Sequence, residues 1–459
     1  MEDEIYLSTD QVSSGNFLDT ILNLDLTFLQ IWLVRVGENP FATMWYAFVY
    51  GGWVILLFLF YKAVTTLWLV RVQSIAAKKK KFILLAIDVP RLSEQTVKAV
   101  ENMFAHMAGA HSPVGSWSEK WLEGKTQDPI SFEIISIEGH VQYLIRCLDK
   151  LRDLVEASVY AQYPEAEITQ VEDYAQAVPS EYPDDTYECF GTEMTNVTND
   201  VYPLKSYLDF EHGLTGEYKD PLAVMLEAFS RLGPGEQAWY QIIYIPIDQK
   251  EYKKKAQAEI LNLKGEKPKV KKNIVEQALD LPIQGMGVAG DVLFGADGAS
   301  EKKKEEKPMS KMMTLTPGER GTIEAIERKM GKIQGQCKIR FLYIAKKEVF
   351  SKAKILQSFV GSIKQFNTND LQALKPEGKK VGVNGTLIWF KNKRNNRRKE
   401  KLVSAYRSRS GWMGLEPFHL GTDELASLWH LPVVLNVKAP QLKKTEAKKV
   451  EPPINLPFA

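Results

Sequence analysis

The apolar positions of this chain form one long unbroken block, followed by many short periodic ones. From Met44 to Tyr61 the sequence reads MWYAFVYGGWVILLFLFY without a charge, and AVTTLWLV carries it to Val70 after the single Lys62. At 1.5 Å rise per residue, those 27 residues make a helix of roughly 40 Å, enough to cross a hydrocarbon core of about 30 Å with tilt. Trp45, Tyr46 and Trp68 stand near its ends, where amphipathic rings favour the headgroup level, and Lys62 is near enough to the end to snorkel. The block predicts a transmembrane helix over 42–70. Its other reading is the buried core helix of a soluble protein.

The charges on either side give the helix a direction. Arg71 and the run Lys78, Lys79, Lys80 and Lys81 follow it, whereas the preceding arm carries seven acids and only Arg35 as a cation. By the positive-inside rule the expectation is a single-pass cell-membrane protein with its N-terminus outside and its bulk cytoplasmic, residues 71–81 being a basic juxtamembrane segment. The late, long apolar stretch and the acidic start do not match a cleavable signal peptide. Within the extracytoplasmic arm, 1–41, residues 17–36 are apolar but interrupted by Asp19 and Asp25. Each aspartate at mid-bilayer costs about 2.5 to 3.5 kcal/mol, so an interfacial amphipathic helix is expected there, with a two-span hairpin as the alternative.

Beyond residue 81 the periods are those of a globular α+β fold. FILLAIDVP reads as a strand, and a helix opened by Ser93 follows, with Val97, Val100, Met103, Phe104 and Met107 at helical spacing. PISFEIISI and HVQYLIRC flank Glu138-Gly139 as a hairpin; LDKLRDLVEASVYAQYP is a second helix and AEITQVEDYA a closing strand. Strand, helix, strand, strand, helix, strand is the split βαβ, ferredoxin-like order, assigned to 82–180. A second α+β domain, 181–410, starts with TYECFGTEMT and NDVYPLKSY as paired strands, then the helix PLAVMLEAFSRL and the strand QAWYQIIYIPI. At about 250–315 the composition turns to Lys, Glu, Gly and Ala, which predicts a flexible insertion. A helix from Thr316-Pro317 through Ile333, the strand CKIRFLYIAK and the helix SKAKILQSFVGSIKQF then resume the domain, so the expected architecture is a transmembrane helix and two ferredoxin-like domains. Residues 411–459 form a linker-like C-terminal segment.

Chemistry changes this picture little. The 459 residues carry 59 Lys and Arg against 57 Asp and Glu, so net charge names no partner. Cys147, Cys189 and Cys337 are widely spaced, which indicates neither a disulfide framework nor a zinc site. No G-x-x-x-x-G-K-[ST], G-x-S-x-G or H-E-x-x-H word occurs, and the six histidines are scattered. GMGVAGDVLFGADG at 285–298 reads as linker, and Asp184, Asp185 and Glu188 as a solvated loop rather than a cation site. The expectation is a protein that is not an enzyme, with no cofactor and no metal.

One run is chemically pointed. KNKRNNRRKEK places seven cations, Lys391, Lys393, Arg394, Arg397, Arg398, Lys399 and Lys401, in eleven residues between the apolar GTLIWF and LVSAYRSR. Such a patch suits phosphates through counterion release, and Asn392, Asn395 and Asn396 suit sugar or phosphate contacts. It also reads as a solvated hairpin tip near an anionic membrane, or as a contact for an acidic protein surface.

FHLGTDELASLWHLP, 418–432, followed by a Lys/Pro/Glu-rich tail ending PPINLPFA, is an unusual word. It resembles the segment closing the N-terminal region of membrane-anchored HerA-like and conjugative type IV secretion ATPases, just before their nucleotide-binding domain. FILLAIDVPRLSEQTVKAVENMFAHMAG, SFEIISIEGHVQYLIRC and VEASVYAQYPEAEITQVEDY are similar to the uncharacterised N-terminal region of the same proteins, known chiefly from bacteria with reduced genomes. The likeness spans about 40–459 and carries over no catalytic residue. The sequence departs from the family where its phosphate loop would begin.

The resemblance implies a membrane-anchored, non-catalytic component of a type IV secretion-like or DNA-translocation machine, docking a P-loop ATPase supplied in trans. DNA and a second copy of the chain are further expected partners. The alternative is a membrane-tethered nucleic-acid-binding protein acting without a motor. Leu425, Leu428, Trp429 and Leu431 form the apolar face of the closing helix, which packs either internally or on that partner.

Overall fold

The computed structural model describes residues 52–89, 95–113, 115–210, 220–265, 315–383 and 390–432, with Phe41, Trp45 and Phe48. The helix expected over 17–36, Tyr46, the Ser93 cap, residues 266–314, the first five residues of GTLIWF, and the tail after Pro432 lie outside them. In chain order come helix α1 (Trp53–Lys78), strand β1 (Phe82–Asp88), α2 (Val97–Met107), α3 (Trp117–Trp121), β2 (Ile130–Ile137), β3 (His140–Leu148), α4 (Arg152–Tyr160) and β4 (Glu167–Val171). Then follow β5 (Tyr187–Asn196), α5 (Ala223–Ser230), β6 (Glu236–Pro246), α6 (Gln249–Leu263), α7 (Pro317–Met330), β7 (Gln334–Lys346) and α8 (Lys352–Lys364). The last are β8 (Leu374–Pro376), α9 (Lys391–Arg407), β9 (Phe418–Gly421) and α10 (Thr422–Leu428).

The chain divides into two compact units, one of residues 1–77 with 116–125 and one of 78–115 with 126–459. In the first, α1 is long and apolar enough over Leu56–Lys78 to cross a membrane, and none of that window is buried within the protein. The helix does not stop at Val70, as the apolar block suggested. RVQSIAAK contains neither glycine nor proline, so backbone hydrogen bonding continues through Arg71 to Lys78. Thr65 and Thr66 satisfy their hydroxyls on the carbonyls of Tyr61 and Lys62, at 2.9 and 2.7 Å.

Among the described residues, the second unit is built on one nine-stranded sheet of order β4-β1-β3-β2-β6-β7-β5-β8, with β9 added to β7. Every pairing is antiparallel. The two sequence halves meet at β2 and β6, in register from Ile130 against Tyr244 to Ile137 against Gln237. Each half follows the order strand, helix, strand, strand, helix, strand, with α6 and α7 inserted between the middle strands of the second half, which lays its strands in mirrored order, so the second strands pair at the centre. The two halves expected as domains thus share one sheet, joined edge to edge through β2 and β6. Long apolar strands at a domain edge expose a row of unpaired backbone groups, and here the two edges satisfy each other.

Local chemistry explains the turns and the coverage. Glu138 and Gly139 both take positive φ, 53° and 87°, as a two-residue hairpin of primed type requires. One face of the sheet is covered by α2, α4, α5 and α8, whose Val100, Phe104, Val159, Phe229 and Phe359 join Phe132, Tyr240 and Phe341 from the strands. The other face carries α9, through Leu402, Val403 and Tyr406 against Leu144, Trp239 and Leu342. A side chain at Gly191 would lie 2.5 Å from Leu342 and 2.6 Å from Leu402, so only glycine lets α9 approach this closely.

Two further expectations change. The start of the predicted insertion is the ordered α6, because Tyr252, Ala256 and Ile260 recur every four residues and pack on Ile323 and Ile326 of α7. α7 opens with a capping box between Thr316 and Glu319, and Pro317 stands in its first turn. NDVYPLKSY is not a strand pairing with β5; β7 and β8 take both edges of β5 instead.

Candidate functional site

The closing word of the sequence is an internal plug. β9 pairs with the start of β7, where β5 has left it, from Gln334 against Gly421 to Cys337 against Phe418. Glu424 then pins α10 from its first turn. One of its carboxylate oxygens accepts the Leu204 N–H at 2.6 Å, and the other accepts the Gly421 N–H at 2.7 Å and pairs with Lys329 at 3.0 Å. Ser427 Oγ accepts from Tyr207 N–H at 2.7 Å, and Tyr240 donates its hydroxyl to the Leu428 carbonyl at 3.2 Å. Trp429 lies edge-on to Phe132 and Tyr143, ring centres 5.2 and 5.7 Å apart. His430 sits between Asp220, at 3.0 Å, and the Ala426 carbonyl, at 2.9 Å. Leu425, Leu428, Trp429 and Leu431 are all buried. Of their two readings, the structure shows internal packing, and docking of a partner through them is corrected: these side chains complete the core where the two sheet halves meet.

The basic run is likewise not a hairpin tip. Lys391 to Arg407 form a helix of 17 residues. Lys399 is buried and paired with Glu188, and Arg398 donates to the carbonyls of Gly382 at 3.0 Å and Lys379 at 2.6 Å. These two cations are used internally. Lys391, Lys393, Arg397 and Lys401 are exposed, and Arg394 is half-buried. At i, i+4 and i+8, Lys393, Arg397 and Lys401 line one stripe of the helix surface.

Beneath the far end of α9 lies a buried ionic footing that the sequence did not announce. Arg409, in the left-handed region at φ 49°, contacts Glu133 with Nε at 2.9 Å and Nη2 at 3.1 Å, and Asp173 at 2.5 and 2.9 Å. Ser131, Gln241 and Tyr174 also donate to the Glu133 carboxylate, at 2.6, 2.9 and 2.8 Å. Burial pushes that carboxyl up, but the Arg409 guanidinium and these hydrogen bonds hold it below the ordinary carboxylate value. Nearby, Arg340 binds Glu193 at 2.7 Å and the carbonyls of Ala405, Ser410 and Met413 at 3.0, 2.7 and 2.7 Å. Lys338 donates to the same Met413 carbonyl at 2.6 Å, and burial pulls its ammonium down to about 8. Glu193 in turn accepts from Leu415 N–H at 2.6 Å.

The loop Ser410–Leu415 is thus fixed from below by three buried charged side chains, while Trp412 above is 84% exposed and Met413 40%. The sequence reading missed this loop; the signal that could have marked it is GWMG, a turn word around a bulky ring. Nothing local told Arg409 from the exposed Arg397 before it.

The remaining candidates have structural partners. Asp184 accepts the N–H groups of Thr186 and Tyr187 at 2.9 and 2.6 Å, opening β5. The three cysteines are buried, and burial pushes the thiols of Cys147 and Cys189 up to about 12. His419 meets Asp200 at 2.6 Å, which also pairs with Lys255 at 2.5 Å. No group of three His, Cys, Asp or Glu side chains able to hold a metal occurs among the described residues.

Of the residues expected to anchor the chain in a membrane, Trp45, Trp68, Arg71, Lys78 and Lys79 are exposed, and Lys62 lies 5.8 Å over the Phe58 ring. Lys80 pairs with Asp128, and Lys81 with Asp149 at 3.3 Å. Sequence reasoning missed α3, whose Trp121 carbonyl accepts the Trp68 indole N–H at 3.0 Å.

No curated protein matches the chain. The family model described as "Domain of unknown function (DUF8128)" matches residues 98–441, from within α2 past the plug. By that match over most of its length, the chain belongs to the DUF8128 family.

Proposed function

We propose that this protein is a membrane-anchored, non-catalytic platform of a type IV secretion-like or DNA-translocation machine. Its bulk lies on the cytoplasmic side, as two ferredoxin-like repeats fused through their second strands, and it docks a P-loop ATPase supplied in trans. Trp412 carries this reading. An indole left in water on a loop immobilised by Arg340, Lys338 and Glu193 is a pre-organised anchor: binding costs no loop ordering, and tryptophan dominates interface hot spots. The basic stripe of α9, which leads into the same loop, supplies steering toward an acidic partner. The ATPase is the partner that the resemblance implies.

The test is a pull-down of the tagged full chain from native membranes after mild detergent extraction, with wild type and Trp412→Ala compared by mass spectrometry. Recovery of a P-loop ATPase with wild type and its loss with Trp412→Ala supports the platform. Recovery of the ATPase undiminished by that change removes Trp412 as the anchor. A second reading, a membrane-tethered nucleic-acid-binding protein, is favoured by the exposed stripe Lys393, Arg397 and Lys401. It requires DNA affinity that falls with salt at a log–log slope near −3, about 0.9 per neutralised phosphate.

A further inference from the structure

We infer that α3 and the residues after it form a second contact with the lipid headgroup region, an aromatic ledge set beside α1 at the level where its apolar run ends. This rests on α1 crossing a membrane. Trp117 and Trp121 stack with ring centres 6.4 Å apart; Trp117 is 70% exposed and Leu122 59%. Three large apolar side chains thus cluster on a surface segment that contributes nothing buried to any core. Such a cluster is unusual on a water-facing surface and ordinary at a bilayer interface, where amphipathic rings favour the headgroup level.

The placement along α1 fixes the level. The Trp68 indole N–H donates to the Trp121 carbonyl at 3.0 Å. One turn further on, Gly124 takes φ +67°, and a side chain there would come within 2.7 Å of the Val72 carbonyl, so the backbone of this segment lies directly against α1. Val70 is the last residue of the apolar run and Arg71 the first cation after it. The ledge therefore meets α1 over Trp68–Val72, at its boundary between hydrocarbon and water. From Trp53 to Val70 the helix is about 27 Å long at 1.5 Å per residue, close to the hydrocarbon thickness.

The polar side matches the same surface. Lys120 lies 5.9 Å over the Trp121 ring, and Lys125 pairs with Glu119 at 3.3 Å, leaving cations beside the rings where lipid phosphates lie. Ser116 caps the helix by accepting from Glu119 N–H at 3.1 Å, so the short ledge is held in shape without a lipid.

The experiment uses the full chain in vesicles of phosphatidylcholine and phosphatidylglycerol. Single cysteines are introduced by Trp117→Cys, Leu122→Cys and Ser118→Cys, the last leaving all the rings in place, and labelled with an environment-sensitive maleimide. The native cysteines are buried and do not compete. Phe58→Cys in the apolar run and Val349→Cys on the sheet unit are the references. Lipids with a nitroxide high on the acyl chain are expected to quench the probes at 117 and 122 about threefold more than the probe at 349, with iodide showing the reverse order. Probes at 117, 118 and 122 quenched like 349, while 58 is quenched by lipid, would overturn the ledge and leave the span standing. Loss of lipid quenching at 58 as well would overturn both.

Discussion

Replacing Trp429 by alanine tests whether the closing word of the chain is core or contact. The side chain is fully buried, and its ring is enclosed edge-on by Phe104, Phe132 and Tyr143 at 6.2, 5.2 and 5.7 Å. Removing a buried tryptophan costs about 3 to 5 kcal/mol, and the three tilted ring contacts place this site in the upper part of that range. A cooperative unit of roughly 300 residues has an unfolding entropy near 0.6 kcal/mol/K, so the expected fall in Tm is about 6 to 8 °C. The assay is thermal unfolding of the full chain in one detergent at one scan rate, followed by far-ultraviolet circular dichroism. Trp412→Ala, removing an indole that is 84% exposed, is the matched control and is expected to shift Tm by less than about 1 °C. An unchanged Tm for Trp429→Ala together with loss of a bound partner would refute the reasoning and return α10 to the surface as a docking helix.

Arg409→Met strands Glu133 without its cation inside the sheet and is expected to destabilise by about 3 to 5 kcal/mol; the Glu133→Gln/Arg409→Met double variant should lose less, measured by urea unfolding. Stability should also respond to pH at both ends. Glu133 and Asp200 have folded-state values below their unfolded ones, so their contribution is complete above the ordinary carboxylate range and is lost as pH falls through about 4 and below. Lys338, pulled down to about 8, binds fewer protons folded than unfolded, so its part of the stability rises between about pH 8 and 10.5; Lys338→Met should flatten that rise in a pH series of unfolding curves. Charge reversal at Lys393, Arg397 and Lys401 should leave the unfolding free energy within about 0.5 kcal/mol of wild type while abolishing binding to anionic partners, whereas Lys399→Glu should lower Tm by placing a carboxylate against Glu188.

The sequence alone determined what depends on near neighbours. Uninterrupted apolarity marked α1, the apolar stretches flanking Glu138-Gly139 marked the β2–β3 hairpin, and Thr316-Pro317 marked the start of α7, because span length, hairpin turns and helix caps are settled within a few residues. Tertiary structure decided everything resting on distant partners. Whether two βαββαβ halves stand apart or join is a question of which strand edges meet, and no local pattern records that β2 pairs with β6. Whether Leu425, Leu428, Trp429 and Leu431 face a partner or the core depended on the space left between α2 and the sheet. Among seven consecutive-looking cations, only the fold separated Lys399, drawn inward by Glu188, from Lys401 two residues later. Arg409 became the centre of the buried network for the same reason: its carboxylates, Glu133 and Asp173, lie more than 200 residues away in the chain and arrive only when the sheet closes.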